Sequence, residues 1–234
     1  MRYFERLPLY PAIQEQLSGK TSKKFVLSKQ QRREVVKQLM ASQKSLCCYC
    51  ESRVFVEDLL TKVSGYHIDH FEEQHDNPNR VFDYKNMLLS CQSNTNTTTE
   101  PISEEESQQP TSCGHGKTRD RHKSVEINYT LLLNPTDNVS ALFSYFDGSV
   151  QPSEICTVEQ IRQVEYTINR LNLDSFDLKD NRKNQINSIV EQLNGLTDEQ
   201  QKTFIRSLLD ETQDVLNPYF STIKDNFGFL LKKK

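Results

Sequence analysis

Two cysteines with the spacing of a metal site, and two more that could complete the site, constrain the fold more than any other feature. Cys47 and Cys50 form a C-x-x-C pair, which lets two thiolates from one tight turn reach the same tetrahedral ion. Cys91 and Cys113 offer a second pair, although a long stretch of chain separates them. A redox pair or simple buried thiols are the alternatives, but "KSLCCYCESRVF" does not resemble the βαβ context of a thioredoxin-like motif. We favour structural zinc.

Composition and hydropathy predict the cellular compartment of the protein. The formal net charge is -3, so any contact with nucleic acid must come from a local basic patch. The sequence contains no run of 18 apolar residues and no apolar leader, which predicts no secretion and no membrane insertion. We expect a cytoplasmic protein, in whose reducing surroundings close cysteines bind metal rather than form disulfides. The remaining thiols, Cys48 and Cys156, are expected to be packing residues.

Periodicity predicts helices on both sides of a more irregular middle. Apolar residues at helical spacing indicate a helix over residues 26–44 with Ser28 as its cap. Aromatic alternation around "DG" in residues 139–152 predicts a β-hairpin. Later helices are predicted over residues 157–173, capped by Thr157, and over residues 175–193 and 197–216. The polar, acidic residues 95–111 show no apolar period and indicate a flexible insertion.

The stretch "YHIDH", residues 66–70, places two imidazoles and a carboxylate within a few positions. If it is a strand, alternation directs Ile68 and His70 to one side and His67 and Asp69 to the other. The stretch is then either a solvated strand or a reaction centre. The flanking cysteines favour a reaction centre.

The order of the motifs "CCYCE", "HIDHF", "DYKNMLLSC" and "CGHGK" resembles that of the HNH endonucleases, which have a ββα-metal fold. Over roughly residues 40–190 the chain is more narrowly similar to the nuclease subunits (PtuB-like) of Septu-type antiphage defence systems and related retron cassettes. The resemblance implies an α+β protein, in which a small zinc-stabilised ββα-metal module is embedded in mostly helical structure. The expected parts are a helical lead-in (1–44), the nuclease module (45–155) and a helical C-terminal region (156–234).

The resemblance also assigns catalytic roles. It implies that His70 is the general base that activates water and that Asp69 is a ligand of a catalytic divalent ion, Mg²⁺ or Mn²⁺. An ordinary histidine is largely neutral near pH 7, as a base must be. His67 either lines this site or is a strand residue bonded to backbone.

Two further positions follow from the family pattern. Asn86 falls at the central asparagine, whose amide is expected to hold the loop near the base. His115 is our choice for the last position, where an imidazole beside the acidic ligand would complete a mixed nitrogen and oxygen site. Asn94 and Asn96 compete for that place, because the insertion obscures the alignment.

A basic cluster follows His115 and could contact phosphates without reading bases. A solvated basic face is the alternative. The cluster comprises Lys117, Arg119, Arg121 and Lys123.

The expected function is therefore a metal-dependent HNH endonuclease acting on nucleic acid, with DNA preferred and RNA possible. The resemblance implies an ATPase partner of the ABC or RecF-like kind (PtuA-like), and the chain itself carries no phosphate-binding G-x-x-x-x-G-K-[ST] motif. The helical C-terminal region is the expected docking surface. Two alternatives stay open: an RNase with the same site, and a non-catalytic zinc-binding interaction module.

Overall fold

The computed structural model describes residues 1–22, 24–54, 65–91, 112–118 and 126–232. Within these ranges the protein is α+β, with seven α-helices and two small antiparallel sheets. The helices are α1 (Pro11–Ser18), α2 (Lys29–Gln43), α3 (Cys113–Thr118), α4 (Val158–Arg170), α5 (Phe176–Leu193), α6 (Asp198–Leu208) and α7 (Phe220–Phe227). The strands are β1 (Tyr66–His70), β2 (Met87–Cys91), β3 (Phe143–Phe146) and β4 (Ser149–Pro152).

Strands β1 and β2 form the sheet that carries the "YHIDH" stretch. They pair in antiparallel register, with Asp69 opposite Leu88. The other edge of β2 is covered by a side chain of α2: the Gln43 amide nitrogen donates to the Leu89 carbonyl at 2.8 Å, and its oxygen accepts from the Leu89 N–H at 2.9 Å. A buried strand edge needs such partners, because unpaired backbone groups are costly away from water.

The helix predicted over residues 26–44 is confirmed as α2, and its start is fixed by a reciprocal cap. The Ser28 hydroxyl accepts from the Gln31 N–H, and the Gln31 side chain accepts from the Ser28 N–H. Such a capping box satisfies backbone donors that have no partner inside the helix. Val35 and Leu39 then face the core, where neither is exposed.

The predicted hairpin is confirmed as β3 and β4. Asp147 and Gly148 take the positive φ angles, 46° and 81°, that a tight two-residue turn requires. A side chain at Gly148 would also meet the Lys179 carbonyl oxygen at 2.5 Å, so the turn lies directly on α5. The buried Arg182 guanidinium of α5 donates to the Gly148 carbonyl at 3.1 Å and ties the two elements together.

The C-terminal helices agree with the predictions except at one boundary. Thr157 caps α4 with a capping box, as expected, and α5 spans nearly all of residues 175–193. The helix predicted over residues 197–216 is wrong at its end, because α6 stops at Leu208. Beyond it the Asp210 carboxylate accepts from the Thr212 N–H and hydroxyl, a local turn that competes with helical bonding.

The C-terminal region packs against the turn that holds the first cysteine pair. The Leu216 N–H donates to the Lys44 carbonyl at 3.2 Å, and the Tyr219 N–H donates to the Glu51 carbonyl at 2.8 Å. The Ser221 N–H donates to the buried Glu51 carboxylate at 2.7 Å. The cysteine turn and the C-terminal region therefore share backbone hydrogen bonds.

Apolar packing joins the N-terminal helices, both sheets and α4 in one large core, with a second cluster among α5, α6 and α7. In the part of the chain that the structure describes, no helix has the length and apolar character to cross a bilayer. The acidic insertion predicted at residues 95–111 lies outside the described residues.

Candidate functional site

Two neighbouring features form the candidate site, and the first is the cysteine cluster. The sulfur atoms of four buried cysteines all lie within 4.8 Å of one another: Cys47, Cys50, Cys91 and Cys113. The Cys50 and Cys91 sulfurs are 3.7 Å apart. Zinc–sulfur bonds of about 2.3 Å in a tetrahedron place ligand sulfurs about 3.8 Å apart, so the cluster can hold a metal ion such as zinc.

The pKa values of the cysteines also favour a bound metal ion. Burial, the largest single effect on Cys47, raises its pKa, but hydrogen bonds from Cys113, Cys48, Cys50 and Cys91 together lower it well below its usual value. The pKa of Cys113 is raised well above its usual value, first by its contact with Cys47. One thiolate is thus stabilised by neighbouring thiols, and further deprotonation needs a cation. A bound metal supplies that charge.

Hydrogen bonds from backbone N–H groups hold the cysteines of the cluster in position. The Cys91 N–H donates to the Cys47 sulfur at 3.3 Å. Cys113 begins α3 with a φ of 58°, uncommon for a residue other than glycine, and its N–H donates to the Leu171 carbonyl at 2.7 Å. This short helix brings the last cysteine, and the residues after it, to the sheet.

The second feature lies where α3 packs against the β1–β2 sheet. His67 and Asp69 lie on one side of the strand, as alternation predicted, and the His67 Nε2 atom is 4.0 Å from Asp69 Oδ1. The His67 and His115 rings are 4.0 Å apart between centroids. His115 is solvent-exposed and Asp69 is buried, so the group reaches from the interior to the surface.

Asp69 is held through its other carboxylate oxygen. Asp69 Oδ2 accepts from the Tyr49 hydroxyl at 2.6 Å and from the Lys117 ammonium at 2.8 Å. Burial acts to lower the pKa of Lys117, but Asp69 and Glu73 raise it above its usual value, so Lys117 stays charged. Neither Tyr49 nor Glu73 was selected from the sequence, since neither stands out by spacing.

Lys117 therefore corrects one prediction. Its side chain is completely buried, forms ion pairs with Asp69 and Glu73, and donates to the carbonyls of His70 and Phe71. The ammonium group has its partners inside the protein and is not part of an exposed phosphate-binding face. The other predicted phosphate contacts, Arg119, Arg121 and Lys123, lie outside the described residues.

His70 lies away from this group, on the opposite side of β1. Its Nε2 atom is 2.9 Å from the Val81 carbonyl oxygen, which fixes the proton on Nε2 and leaves the lone pair on Nδ1. The Gln74 amide nitrogen lies 3.3 Å from Nδ1, and Phe25 packs edge-on against the ring. Burial, the main cause, lowers the pKa of His70, so the ring is neutral near pH 7.

Asn86 stabilises the loop that follows His70. Its amide nitrogen donates to the Glu72 carbonyl at 2.9 Å and to the Arg80 carbonyl at 3.3 Å, and its oxygen accepts from the Glu72 N–H at 2.8 Å. The Phe71 N–H also donates to the Asn86 backbone carbonyl at 2.9 Å. Asn86 is almost fully buried, so these bonds fix the loop that contains Val81, the acceptor for His70.

The structure thus separates the four predicted catalytic residues into two groups. Asp69 and His115 each lie close to His67, Asp69 from the same strand and His115 from α3. His70 and Asn86 belong to the loop side of the strand. The competing candidates Asn94 and Asn96 lie outside the described residues.

Comparisons with known proteins add no identification. No protein-family model matches the chain, and a search of curated proteins finds no match.

Proposed function

We propose that this protein is a metal-dependent HNH-type endonuclease that hydrolyses phosphodiester bonds of nucleic acid, with DNA as the preferred substrate. One observation carries the proposal: an antiparallel strand pair and a short helix gather a buried carboxylate, Asp69, and an exposed imidazole, His115, beside a four-cysteine cluster. The motif order of the sequence supports the same assignment. Zinc in the cysteine cluster would fix the helix to the sheet.

Asp69 and His115 would hold the catalytic divalent ion, whose charge would stabilise the phosphoryl oxygens during hydrolysis. Tyr49 and Lys117 donate to Asp69 Oδ2, so Oδ1 is the oxygen that would face the ion. The exposure of His115 would let a nucleic-acid phosphate reach it.

His70 would act as the general base through Nδ1. Because its ring lies on the opposite side of β1 from Asp69 in this structure, the end of the strand must turn to bring Nδ1 to a water beside the ion. The Val81 carbonyl holds the proton on Nε2, which leaves Nδ1 able to accept a proton from water. Asn86 would position His70 indirectly, because it fixes the loop to which Val81 belongs. Gln74 covers Nδ1, so this side chain must move aside when water approaches.

A plasmid-cleavage assay with Mg²⁺ or Mn²⁺ tests the proposal, and total RNA as a second substrate tests the RNase alternative. His70→Ala should abolish cleavage. His75→Ala is the matched control, because His75 is on the same loop and its side chain is 85% exposed. Cleavage by the His70→Ala protein at the wild-type rate would contradict the role of His70 as base.

The non-catalytic zinc module is the second candidate, and a specific observation favours it. The Lys117 ammonium already neutralises Asp69, and His70 is 3% exposed. In this alternative both residues serve only to complete the fold. Absence of divalent-dependent cleavage of either substrate by folded, zinc-containing protein would select it.

The ATPase partner implied by the sequence would dock on the C-terminal half. Large apolar side chains are exposed there on β3, before and within α4, and on α5: Phe146, Ile155, Val158 and Phe176. Exposed apolar groups are typical of association surfaces. Charged substitutions at these positions should abolish co-purification with the product of a neighbouring ATPase gene and leave the fold intact. Retained co-purification would place the docking surface elsewhere.

A further inference from the structure

The chain between Glu15 and Glu34 is strongly basic, although the whole protein carries a formal net charge of -3. This stretch contains six lysines and arginines and no acidic residue. Five exposed cations from this stretch and the next turn of α2 form what we call the basic face: Lys24, Lys29, Arg32, Arg33 and Lys37. A local excess of positive charge attracts polyanions even when the net charge of the chain is negative.

Most of the basic face lies on the solvent side of α2. Lys29, Arg33 and Lys37 are four residues apart, so they fall on one side of the helix. The other side of α2 buries Val35 and Leu39 in the core. The three long cationic side chains therefore project together into solvent.

No acidic partners neutralise the basic face within the described part of the chain. Exposed lysines elsewhere have such partners: Lys179 pairs with Asp174 at 2.7 Å, and Lys183 pairs with Asp147 at 3.2 Å. No described carboxylate lies within ion-pair distance of any member of the basic face. These charges are open to an external anion, and the position of the basic face decides between a binding surface and a merely solvated one.

The basic face runs along β1, on the side of the strand that His70 occupies. Phe25, next to Lys24, packs edge-on against the His70 ring, with centroids 4.6 Å apart. At the other end of β1, the Arg32 guanidinium carbon lies 6.0 Å from the centroid of the Tyr66 ring. Tyr66 and His70 are four positions apart, so they point to the same side of the strand at a separation of about 14 Å. Duplex DNA carries a phosphate about every 3.4 Å along each strand, so this length matches about four phosphates.

A polar cleft continues the basic face toward the loop that follows β1. It has a volume of about 420 Å³ and is bounded by the loop after α1 and the loop before β2. Polar side chains from both loops line it: Ser18, Lys20, Ser22, Asn79 and Asp83. The Asp83 carboxylate is already paired with Arg80 at 2.8 Å. Phe82 also lines the cleft and packs on Phe25, with ring centroids 5.7 Å apart, which joins the cleft to the ring that covers His70. Hydroxyl, amide and ammonium groups are typical contacts of phosphate and sugar oxygens.

We propose that the basic face binds the phosphate backbone of duplex DNA and holds the duplex along β1, on the side of His70. The inference rests on the proposed function for the class of ligand, and it names the surface that binds this ligand. Lysine and arginine contacts to phosphates carry no sequence information, so the binding is independent of base sequence. The basic face takes the role predicted for Lys117, whose ammonium is buried.

Fluorescence anisotropy of a labelled DNA duplex, in buffer without Mg²⁺ or Mn²⁺, measures binding by the full-length, zinc-loaded protein separately from cleavage. Lys29→Gln/Arg33→Gln removes two cations from one side of α2 and introduces a good helix former at both positions. The slope of log affinity against log salt concentration should become shallower by about 2, and the affinity at about 0.15 M salt should fall at least about tenfold. Lys202→Gln/Arg206→Gln is the matched control, because α6 carries the same pair of residues at the same spacing. This control should bind like wild type.

Lys24→Gln gives an independent check outside α2, and it decides the question if the double variant does not fold. It should make the salt slope shallower by about 1. Wild-type binding by these variants, or an equal loss in the control, would overturn the inference. A loss of affinity for duplex RNA alone would overturn the assignment to DNA.

Plasmid cleavage separates this inference from the proposed function. Normal cleavage and normal binding by Lys29→Gln/Arg33→Gln would refute the basic face and leave the nuclease standing. DNA binding that depends on the basic face, without cleavage in Mg²⁺ or Mn²⁺, would refute only the nuclease.

Discussion

Replacing Lys117 by methionine should destabilise the protein far more than the same change at an exposed ion pair. Methionine keeps most of the side-chain volume and removes the ammonium, which lies 2.8 Å from Asp69 Oδ2 and 3.1 Å from Glu73 Oε1. The Asp69 side chain is 7% exposed, so water cannot replace the lost partner. Breaking a buried ion pair from one side costs about 3–5 kcal/mol, because the remaining charge is left uncompensated.

Lys183→Met is the control, because it makes the same substitution at an exposed ion pair. Lys183 pairs with Asp147 at 3.2 Å, but the two side chains are 51% and 65% exposed. Exposed pairs of this kind contribute less than about 1 kcal/mol. The free energy of unfolding of both variants and the wild type is measured by urea denaturation followed by circular dichroism.

The difference between the two variants tests the argument. A loss of about 3–5 kcal/mol for Lys117→Met beside less than about 1 kcal/mol for Lys183→Met is the expected result. Equal losses, or a loss below about 1 kcal/mol for Lys117→Met, would refute the claim that a buried ammonium neutralises Asp69.

Three other predictions concern the loop and the cysteine cluster. Asn86→Ala removes three side-chain hydrogen bonds and should cost about 2–4 kcal/mol in urea denaturation, against about 0.5 kcal/mol or less for the exposed Asn79→Ala. Equal effects would contradict the role of Asn86 in fixing the loop. Cys50→Ser should lose bound zinc, measured by elemental analysis, whereas Cys156→Ser should retain it. Zinc retained by the Cys50→Ser protein would exclude the tetrahedral four-cysteine site. Zinc binding to the metal-free protein should release protons, because the pKa values of the Cys91 and Cys113 thiols are raised and these thiols must lose their protons to bind zinc. The release is measured by calorimetry as a binding enthalpy that depends on the buffer. A binding enthalpy that is the same in all buffers would contradict proton release.

Local signals in the sequence were sufficient for most elements. The caps of α2 and α4 and the "DG" turn are decided by a few adjacent residues, so the sequence predicted them. The end of α6 was missed because the amphipathic pattern continues past Leu208 while the Asp210 turn stops the helix. Here a side chain that competes for backbone hydrogen bonds outweighed the apolar period.

The four residues of the cysteine cluster were predictable, and the surroundings of Asp69 were not. Cysteine spacing predicted which four sulfurs meet, because metal geometry allows few arrangements. The burial of Lys117 could not be read from "GKTRDRHK", where it looks like one member of a basic run. Its partners come from β1 and the following loop, and only the folded chain brings them together.

The hydrogen bonds between the cysteine turn and the C-terminal region set an order of events during synthesis. Lys44 and Glu51, which flank Cys47 and Cys50, receive their donors from residues 216–221. Chains emerge from the ribosome N-terminal end first, so the turn leaves the exit tunnel long before those donors exist. Final assembly of this corner therefore waits until residues 216–221 have left the ribosome, and shortening the chain before residue 216 would leave the cysteine turn without these bonds.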